Sequence, residues 1–286
     1  MISLDLGLWR RSGSTGFNPL TLSPLAWWDW SDGSQIYTDS SLTTLVSADG
    51  DPIGGIKDKS GSNYHLTQTD PTKRGLYKTS ILNGKSVGRT DGVNDHWFVA
   101  SSNGYFKSIY YGGATVFLAV KAGVVASPNA LYVVMGNNAN SGNPGFFIGM
   151  ENRTGSMTKA ARTLIYGASG IVADPASAPT TYANSFPPNT ASIVTVKTDP
   201  QNATVANRLM TKLNNGSEIK ANIETGSASN VNANAVLSVG SNATPAGAFS
   251  FFTPGDFYEI LIYPTILSET NADLVRGYLN SKWGIY

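Results

Sequence analysis

The fold is decided near the end of the sequence by the stretch Pro254-Gly255-Asp256-Phe257-Tyr258-Glu259-Ile260-Leu261-Ile262-Tyr263-Pro264. This stretch is followed by Thr265-Ile266-Leu267-Ser268-Glu269 and then by a segment that ends Tyr278-Leu279-Asn280-Ser281-Lys282-Trp283-Gly284. Before Pro264, apolar residues occupy odd-numbered and even-numbered positions alike. Because alternate side chains of a strand point to opposite faces, this pattern predicts a strand buried on both faces. Pro264 ends the strand, because proline cannot donate a ladder hydrogen bond. Ser268 is a predicted N-cap, with Glu269 in the first turn and Gly284 as the helix stop. The pairs Leu274–Tyr278 and Val275–Leu279 are expected to form the apolar side of this helix.

Four upstream stretches follow the order of a known family: Leu25-Ala26-Trp27-Trp28-Asp29-Trp30-Ser31-Asp32, Ile56-Lys57-Asp58-Lys59-Ser60-Gly61-Ser62-Asn63-Tyr64-His65-Leu66, Leu82-Asn83-Gly84-Lys85-Ser86-Val87 and Thr90-Asp91-Gly92-Val93-Asn94-Asp95-His96-Trp97. With the C-terminal segment, they resemble the concanavalin A-like, laminin-G-type jelly rolls of bacterial surface proteins and phage virion proteins. Asn271 departs from the family pattern, which has an acidic residue there. The resemblance covers residues 25–284 and implies an all-β, concanavalin A-like jelly-roll sandwich with a short C-terminal helix. It leaves the ligand open, because this fold serves many functions.

The composition excludes several classes of partner. The 286 residues include 14% charged residues and carry a formal net charge of +1, so neither nucleic acid nor an anionic membrane is an expected partner. There is no cysteine, which rules out disulfides and thiol chemistry. The apolar run at the N-terminus precedes its basic pair, Arg10-Arg11, which is the wrong order for a secretory signal. No apolar run is long enough to predict a membrane span.

The middle of the chain is predicted to consist of strands and turns. Asn214-Asn215-Gly216 between two strands is a strong hairpin signal. The strand at 235–240 is expected to pair with the terminal strand. The other predicted strands are 115–120, 130–135, 145–150, 192–197, 208–213 and 217–220.

Catalytic residues are weakly represented. Some glycoside hydrolases of this fold use a strand motif E-x-D-x-x-E, and here Asp256 and Glu259 occupy its last two positions while Pro254 stands at the first. Glycoside hydrolysis needs two carboxylates at the bond, and on a flat strand Asp256 and Glu259 point to opposite faces. We therefore expect no enzymatic activity and a structural role for Glu259. His65 and His96 are likewise expected to be structural or surface residues.

Calcium is the one metal ion that the residues suggest. Asp91, Asn94 and Asp95 lie in one tight turn and offer the oxygen ligands that calcium prefers. The alternative is that these side chains bond their own backbone, as Asp and Asn commonly do in turns. No other cofactor is expected.

Aromatic residues suggest a carbohydrate surface. On a regular strand one of Trp27 and Trp28 must face outward, and Tyr105, Tyr110 and Tyr111 cluster near a Gly-Gly turn. Trp28, Tyr105, Tyr110 and Tyr111 are therefore the candidate ligand-binding residues. The alternative is that these rings pack in the core or against other proteins.

These observations predict an N-terminal arm and linker, residues 1–23, and a jelly-roll domain, residues 24–286. The leading hypothesis is a non-enzymatic phage virion surface protein, either a capsid decoration subunit or a tail or fibre adhesion module, with a capacity to bind host surface glycans. Such a protein is made in the host cytoplasm and located on the virion. Residues 1–23 would bind other virion subunits, and the protein would form a homo-oligomer. The alternatives are a bacterial carbohydrate-binding module without a virion role and a glycoside hydrolase.

Overall fold

The computed structural model describes residues 16–123, 131–137, 143–153, 157–167, 171–173, 187, 189–220 and 225–286. Its strands are β1 Ala26–Asp29, β2 Ile36–Tyr37, β3 Gly55–Ile56, β4 Leu66–Thr67, β5 Leu76–Leu82, β6 Lys85–Asp91, β7 Trp97–Val99, β8 Ala114–Ala122, β9 Leu131–Gly136, β10 Gly145–Arg153, β11 Met157–Tyr166, β12 Ile171–Ala173, β13 Ser192–Thr198, β14 Leu209–Leu213, β15 Glu218–Lys220, β16 Leu237–Val239, β17 Asn242–Ala243, β18 Phe249–Ser250 and β19 Pro254–Tyr263. One α-helix, α1, spans Glu269–Trp283 among the described residues.

Two antiparallel sheets face each other. The helix-side sheet has the order β15-β14-β13-β8-β19-β6-β5, and β1 also pairs with β19. The other sheet, which carries a surface groove and is called the groove-side sheet, has the order β12-β11-β10-β9-β16-β7-β4-β3-β2. The hairpin β17–β18 forms a separate pair. The chain is an all-β jelly-roll sandwich with a C-terminal helix, as the sequence predicts.

A large aromatic core lies between the two sheets. Trp30 packs against Trp97 and Phe257, with ring centroids 5.7 Å away in both cases. Trp30 can lie flat against β6 because Gly88 has no side chain: a Cβ there would come within 2.2 Å of the indole. The family-like stretches at Trp27–Trp30 and Thr90–Trp97 therefore supply the centre of the core.

A second apolar layer lies between the helix-side sheet and α1. It includes Tyr258, Leu261, Val275, Leu279 and Trp283. The terminal strand β19 is therefore buried on both faces, which confirms the prediction. The N-cap Ser268 accepts the N–H of Asn271, and the left-handed Gly284 ends the helix, also as predicted.

Two details of the terminal region differ from the sequence predictions. Leu274 is 41% exposed, because the buried stripe of α1 runs through Ala272, Val275, Leu279 and Trp283 instead. The strand β16 does not pair with β19; it pairs with β7 and β9 in the opposite sheet. The periodicity of residues 235–240 identified a strand but could not specify its partner.

The described part of the predicted arm packs on the domain. Phe17 and Leu22 contact the layer beneath α1, and the hydroxyl of Tyr263 donates to the carbonyl of Pro19 at 3.4 Å. Residues 1–15, the rest of the predicted arm, lie outside the described residues. Among the helices that the structure describes, none has the length and apolarity to cross a bilayer.

Candidate functional site

An exposed tyrosine stands on a column of aromatic rings that rises from the core. Tyr105 is 52% exposed and stacks on Tyr64, with ring centroids 5.0 Å apart and an interplanar angle of 24°. Tyr64 contacts Phe106 at 5.4 Å, and Phe106 contacts the buried Trp28 at 6.4 Å. One face of the Tyr105 ring is thus held from below, and the ring keeps a fixed orientation at the surface.

The turn at 58–65 positions Tyr64. Asp58 Oδ1 accepts the N–H groups of Trp27 at 2.9 Å and Ser60 at 2.8 Å, and its Oδ2 accepts the N–H of Tyr64 at 3.0 Å. The indole N–H of Trp28 donates to the carbonyl of Tyr64 at 2.8 Å. The family-like D-K-S-G turn therefore ties the aromatic column to the first strand of the sandwich.

His65 presents a fixed hydrogen-bond donor beside this column. Its Nδ1 accepts the backbone N–H of Asp58 at 3.0 Å, so the neutral ring carries its proton on Nε2. Burial, together with the nearby Lys57, lowers the pKa of His65 below its usual value. The imidazole is therefore neutral at physiological pH and offers one N–H to whatever lies in front of it.

These side chains line a surface groove of about 470 Å³. Tyr64 and Tyr105 form its aromatic wall, and hydroxyl, amide and imidazole groups surround it. Among the described residues that line the groove, none carries a formal charge when His65 is neutral. Its polar side chains are Ser40, Ser62, Asn63, His65 and Thr67.

The structure separates the four predicted ligand-binding residues. Tyr105 lines the groove, as expected of a ligand-binding residue. Trp28 and Tyr110 are both 0% exposed, and the Tyr110 hydroxyl accepts the N–H of Ala233 at 2.9 Å. Tyr111 is half-buried and packs against the core. Trp28 and Tyr110 therefore cannot stack on a ligand; they support the groove and its neighbouring loop from inside.

The error over Trp28 has a clear physical cause. The expectation that Trp27 or Trp28 faces outward assumes that one face of β1 meets solvent. Instead Trp28 enters the core between the sheets, and Trp27 enters the layer beneath α1. The helix covers the face that would otherwise be exposed.

The two carboxylates of the candidate calcium site bond backbone N–H groups of their own turn. Asp91 Oδ1 accepts the N–H groups of Val93, Asn94 and Asp95 at 2.8, 3.2 and 3.3 Å, and Asp95 Oδ2 accepts the N–H of Asp91 at 3.1 Å. Burial and the neighbouring Asp91 carboxylate raise the pKa of Asp95 to about 6. Among the described residues, no three His, Cys, Asp or Glu side chains are grouped to hold a metal ion. The turn alternative accounts for Asp91 and Asp95, and calcium binding at Asp91, Asn94 and Asp95 stays a prediction.

The two carboxylates of the terminal strand lie on the same side of the sheet, contrary to the flat-strand expectation. Pairing with β8 shifts between Phe257 and Glu259, so Tyr258 is an inserted residue. Phe257 faces the core, and Asp256, Tyr258 and Glu259 all face the helix side. Asp256 is held by Arg89, with Nε to Oδ1 at 2.5 Å.

Glu259 is completely buried beneath α1. Its carboxylate accepts from Trp27 Nε1 at 2.7 Å, Tyr278 Oη at 2.9 Å, Lys282 Nζ at 2.7 Å and Trp283 Nε1 at 3.0 Å. Burial and the neighbouring Asp29 raise the pKa of Glu259, while Lys282 acts in the opposite direction. Such a carboxylate has no access to a substrate, which agrees with the structural role expected for it.

Sequence reasoning missed Tyr64 and His65 as site residues. Both stand in the Asp58–Leu66 stretch that resembles the family, so the available signal was the motif itself. What the motif could not reveal is that Tyr105, forty-one positions after Tyr64, folds back to stack on it.

Comparison with known proteins places the fold. No protein-family model matches the chain, and no curated protein matches its sequence. An arabinofuranosidase solved with arabinofuranosyl-α-1,2-xylobiose is similar in structure, with a TM-score of 0.51 and 14% identity over 81% of this chain and 51% of that chain. The Ruminococcus gnavus IT-sialidase CBM40 bound to α2,3-sialyllactose has a TM-score of 0.46 and 13% identity over 70% of this chain and 99% of that chain. At 14% identity the likeness to the arabinofuranosidase shows a shared β-sandwich fold and nothing finer.

Proposed function

We propose that this protein is a non-catalytic carbohydrate-binding module for neutral glycans. The observation that carries the proposal is the exposed ring of Tyr105, stacked on Tyr64 at the wall of the groove. Sugar rings present flat faces of C–H groups that pack on aromatic faces, and a ring fixed before binding loses little conformational entropy when a ligand arrives.

The groove's polar groups suit sugar hydroxyls. Ser40, Ser62 and Thr67 contribute hydroxyls that donate and accept, Asn63 contributes an amide, and the Nε2–H of His65 is a donor. Because no formal charge lines the groove among the described residues, a sialic acid carboxylate would lose water there without gaining a cationic partner. The proposal is therefore specific to neutral sugars.

The proposal excludes hydrolysis at this groove. Hydrolysis by the usual route requires two carboxyl groups across the glycosidic bond, and none is present among the described residues that line the groove. Asp256 and Glu259 are 2% and 0% exposed. The virion location, the homo-oligomer and the docking of residues 1–23 on other virion subunits stay predictions from the sequence, and glycan binding does not depend on them.

The first prediction is that Tyr105→Ala weakens glycan binding, because it removes the stacking face and leaves the core intact. The measurement is binding of the purified protein to an immobilised panel of neutral oligosaccharides, with lactose and α2,3-sialyllactose as a pair that differs by one sialic acid. We expect binding to at least one neutral glycan and a loss of at least about tenfold in Tyr105→Ala, roughly 1.4 kcal/mol. Sialylation is expected to give no gain.

Tyr286→Ala is the matched control, because Tyr286 is a second exposed tyrosine, 45% accessible, in the C-terminal segment. It should bind as the unmodified protein does. Circular dichroism on both variants checks that each is folded. Failure of the unmodified protein to bind any glycan of the panel, or equal binding by Tyr105→Ala, would overturn the proposal.

A further inference from the structure

A second pocket opens on the outer face of the groove-side sheet. It has a volume of about 370 Å³ and lies between the hairpin β17–β18 and the segments on either side of the β4–β7 pair. Three phenylalanines, Phe98, Phe249 and Phe252, line it together with His96, and Asp70 and Lys73 stand at its rim. Sequence reasoning did not single out this set of residues for binding.

The floor of this pocket is a packed aromatic cluster. The ring of Phe249 lies 4.0 Å from His96 and 5.4 Å from Phe98, measured between centroids, and Phe252 lies 5.6 Å from His96. All three phenylalanines remain partly exposed. Covering an apolar surface of this kind with the flat apolar face of a ligand removes it from water and is therefore favourable.

Hydrogen bonds hold His96 in one orientation. Its Nδ1–H donates to the carbonyl of Asn94 at 2.8 Å, so its Nε2 is the acceptor for the Gln68 amide N–H at 3.1 Å. The same Gln68 amide donates to the carbonyl of His96 at 3.0 Å. Burial lowers the pKa of His96, so the floor is neutral. The rim has no net charge, because the charges of Lys73 and Asp70 balance in an ion pair with a Nζ–Oδ2 distance of 2.9 Å.

The second pocket adjoins the Tyr105 groove. Thr67, which lines the groove, and Phe98, which lines the second pocket, are directly opposite each other in the β4–β7 pair. Directly opposed residues of an antiparallel pair have Cβ atoms about 4.5–5.5 Å apart. Their neighbours Leu66 and Val99 point into the core, so Thr67 and Phe98 both face outward. The two depressions are thus lined by adjacent side chains of this ladder.

We infer that the two depressions form one extended cleft, and that the ligand is a neutral oligosaccharide rather than a single sugar. One sugar ring stacks on Tyr105, and a later ring of the same chain packs on Phe98 and Phe249. This inference rests on the proposed function and adds to it a minimum ligand length and a second subsite. The hairpin β17–β18 is the element that provides it.

The test is the dependence of affinity on chain length. Isothermal titration compares gluco-, xylo-, manno- and galacto-oligosaccharides from one to six units, all neutral, with the unmodified protein. In the series that binds, affinity should rise at least about tenfold between the monosaccharide and the longest chain, as expected from one further stacked ring. Phe249→Ala should remove this rise with chain length, whereas Tyr105→Ala should weaken binding at every chain length.

Two further variants keep the test decisive. Phe251→Ala alters an exposed phenylalanine of the same segment that does not line the pocket, and it should retain the full rise. Ala248→Trp places a bulky side chain at the exposed rim of the pocket, and by obstructing it should abolish the rise even if Phe249→Ala destabilises the hairpin.

The possible failures are distinguishable. Binding that is independent of chain length, or a rise that survives both Phe249→Ala and Ala248→Trp, overturns the second subsite and leaves the proposed function in place. No binding of any of these sugars by the unmodified protein overturns the proposed function and the second subsite together.

Discussion

Lys282 is the residue on which the buried charges depend. Its Nζ lies 2.7 Å from Glu259 and 2.8 Å from Asp29, and both carboxylates are nearly or completely buried. Burial raises the pKa of Asp29, but Lys282 and Lys59 outweigh burial and hold that pKa below its usual value. A carboxylate removed from water is tolerated only when it is paired and hydrogen-bonded.

We predict that Lys282→Met destabilises the protein by about 3–5 kcal/mol, because it leaves Glu259 and Asp29 buried with one cation fewer. Urea unfolding at neutral pH measures the loss. Lys73→Met is the control: it breaks the exposed ion pair with Asp70 and should cost about 1 kcal/mol or less. Equal losses in the two variants would show that the Glu259 cluster does not depend on Lys282.

At the scale of single elements, α1 depends on the sheet for its stability. A helix of fifteen residues is marginal on its own in water and gains most of its stability from packing. Trp283 is completely buried, stacks on Tyr258 with ring centroids 5.1 Å apart and donates to Glu259. The last turn of α1 is thus attached to the middle of β19.

Trp283→Ala should therefore lower the free energy of unfolding by about 3–5 kcal/mol, the usual cost of truncating a buried large aromatic side chain. Leu274→Ala, on the exposed face of the same helix, should cost less than about 1 kcal/mol. Chemical denaturation of the two variants in parallel gives both values. An unchanged midpoint for Trp283→Ala would contradict the packing of α1 on the sheet.

The elements that the sequence predicts correctly are those whose signals are local. Ser268 and Gly284 mark the ends of α1 because capping involves only neighbouring backbone groups, and Asn214-Asn215-Gly216 joins β14 to β15 in a hairpin. The insertion of Tyr258 could not be predicted, because it depends on how β19 aligns with β8.

The candidate site was predictable only in part, for the same reason. Tyr105 stood out as an aromatic residue near a glycine-rich turn, but its stacking on Tyr64 joins segments that are distant in sequence. The second pocket lies under the hairpin β17–β18, and its shape follows from tertiary packing that no local pattern records. The burial of both Trp27 and Trp28 was missed, because a helix at the other end of the chain covers the Trp27 face of β1 and the opposite sheet covers the Trp28 face.

At the scale of the whole molecule, the segment before β1 belongs to the helix layer. The ring of Phe17 meets that of Tyr278 edge-on at 6.5 Å, and Leu22 packs on the same layer. The proposed arm is therefore joined to the domain at least from Phe17 onward. Any role in docking that the sequence assigns to residues 1–23 falls to the part before this contact.

Two truncations test this division. A chain that starts at Gly16 should melt at the same temperature as the full protein, whereas a chain that starts at Pro24 should lose about 2 kcal/mol or more of stability with the contacts of Phe17 and Leu22. Thermal unfolding separates the two, and equal melting temperatures would contradict the packing of Phe17 and Leu22. Sedimentation of the Gly16 chain tests the arm hypothesis, which requires that self-association is lost.

The pairing of the first strand with the last has a mechanical consequence. β1 and β19 are antiparallel, with Ala26 opposite Ile262 and Asp29 opposite Glu259. Tension applied through the two ends of the chain, once α1 has detached, therefore enters this pair at its Ala26–Ile262 end. It peels the strands apart one residue pair at a time instead of shearing all their hydrogen bonds together. Peeling then reaches the hydrogen bond from Trp27 Nε1 to Glu259, which joins the two strands through their side chains and does not depend on α1.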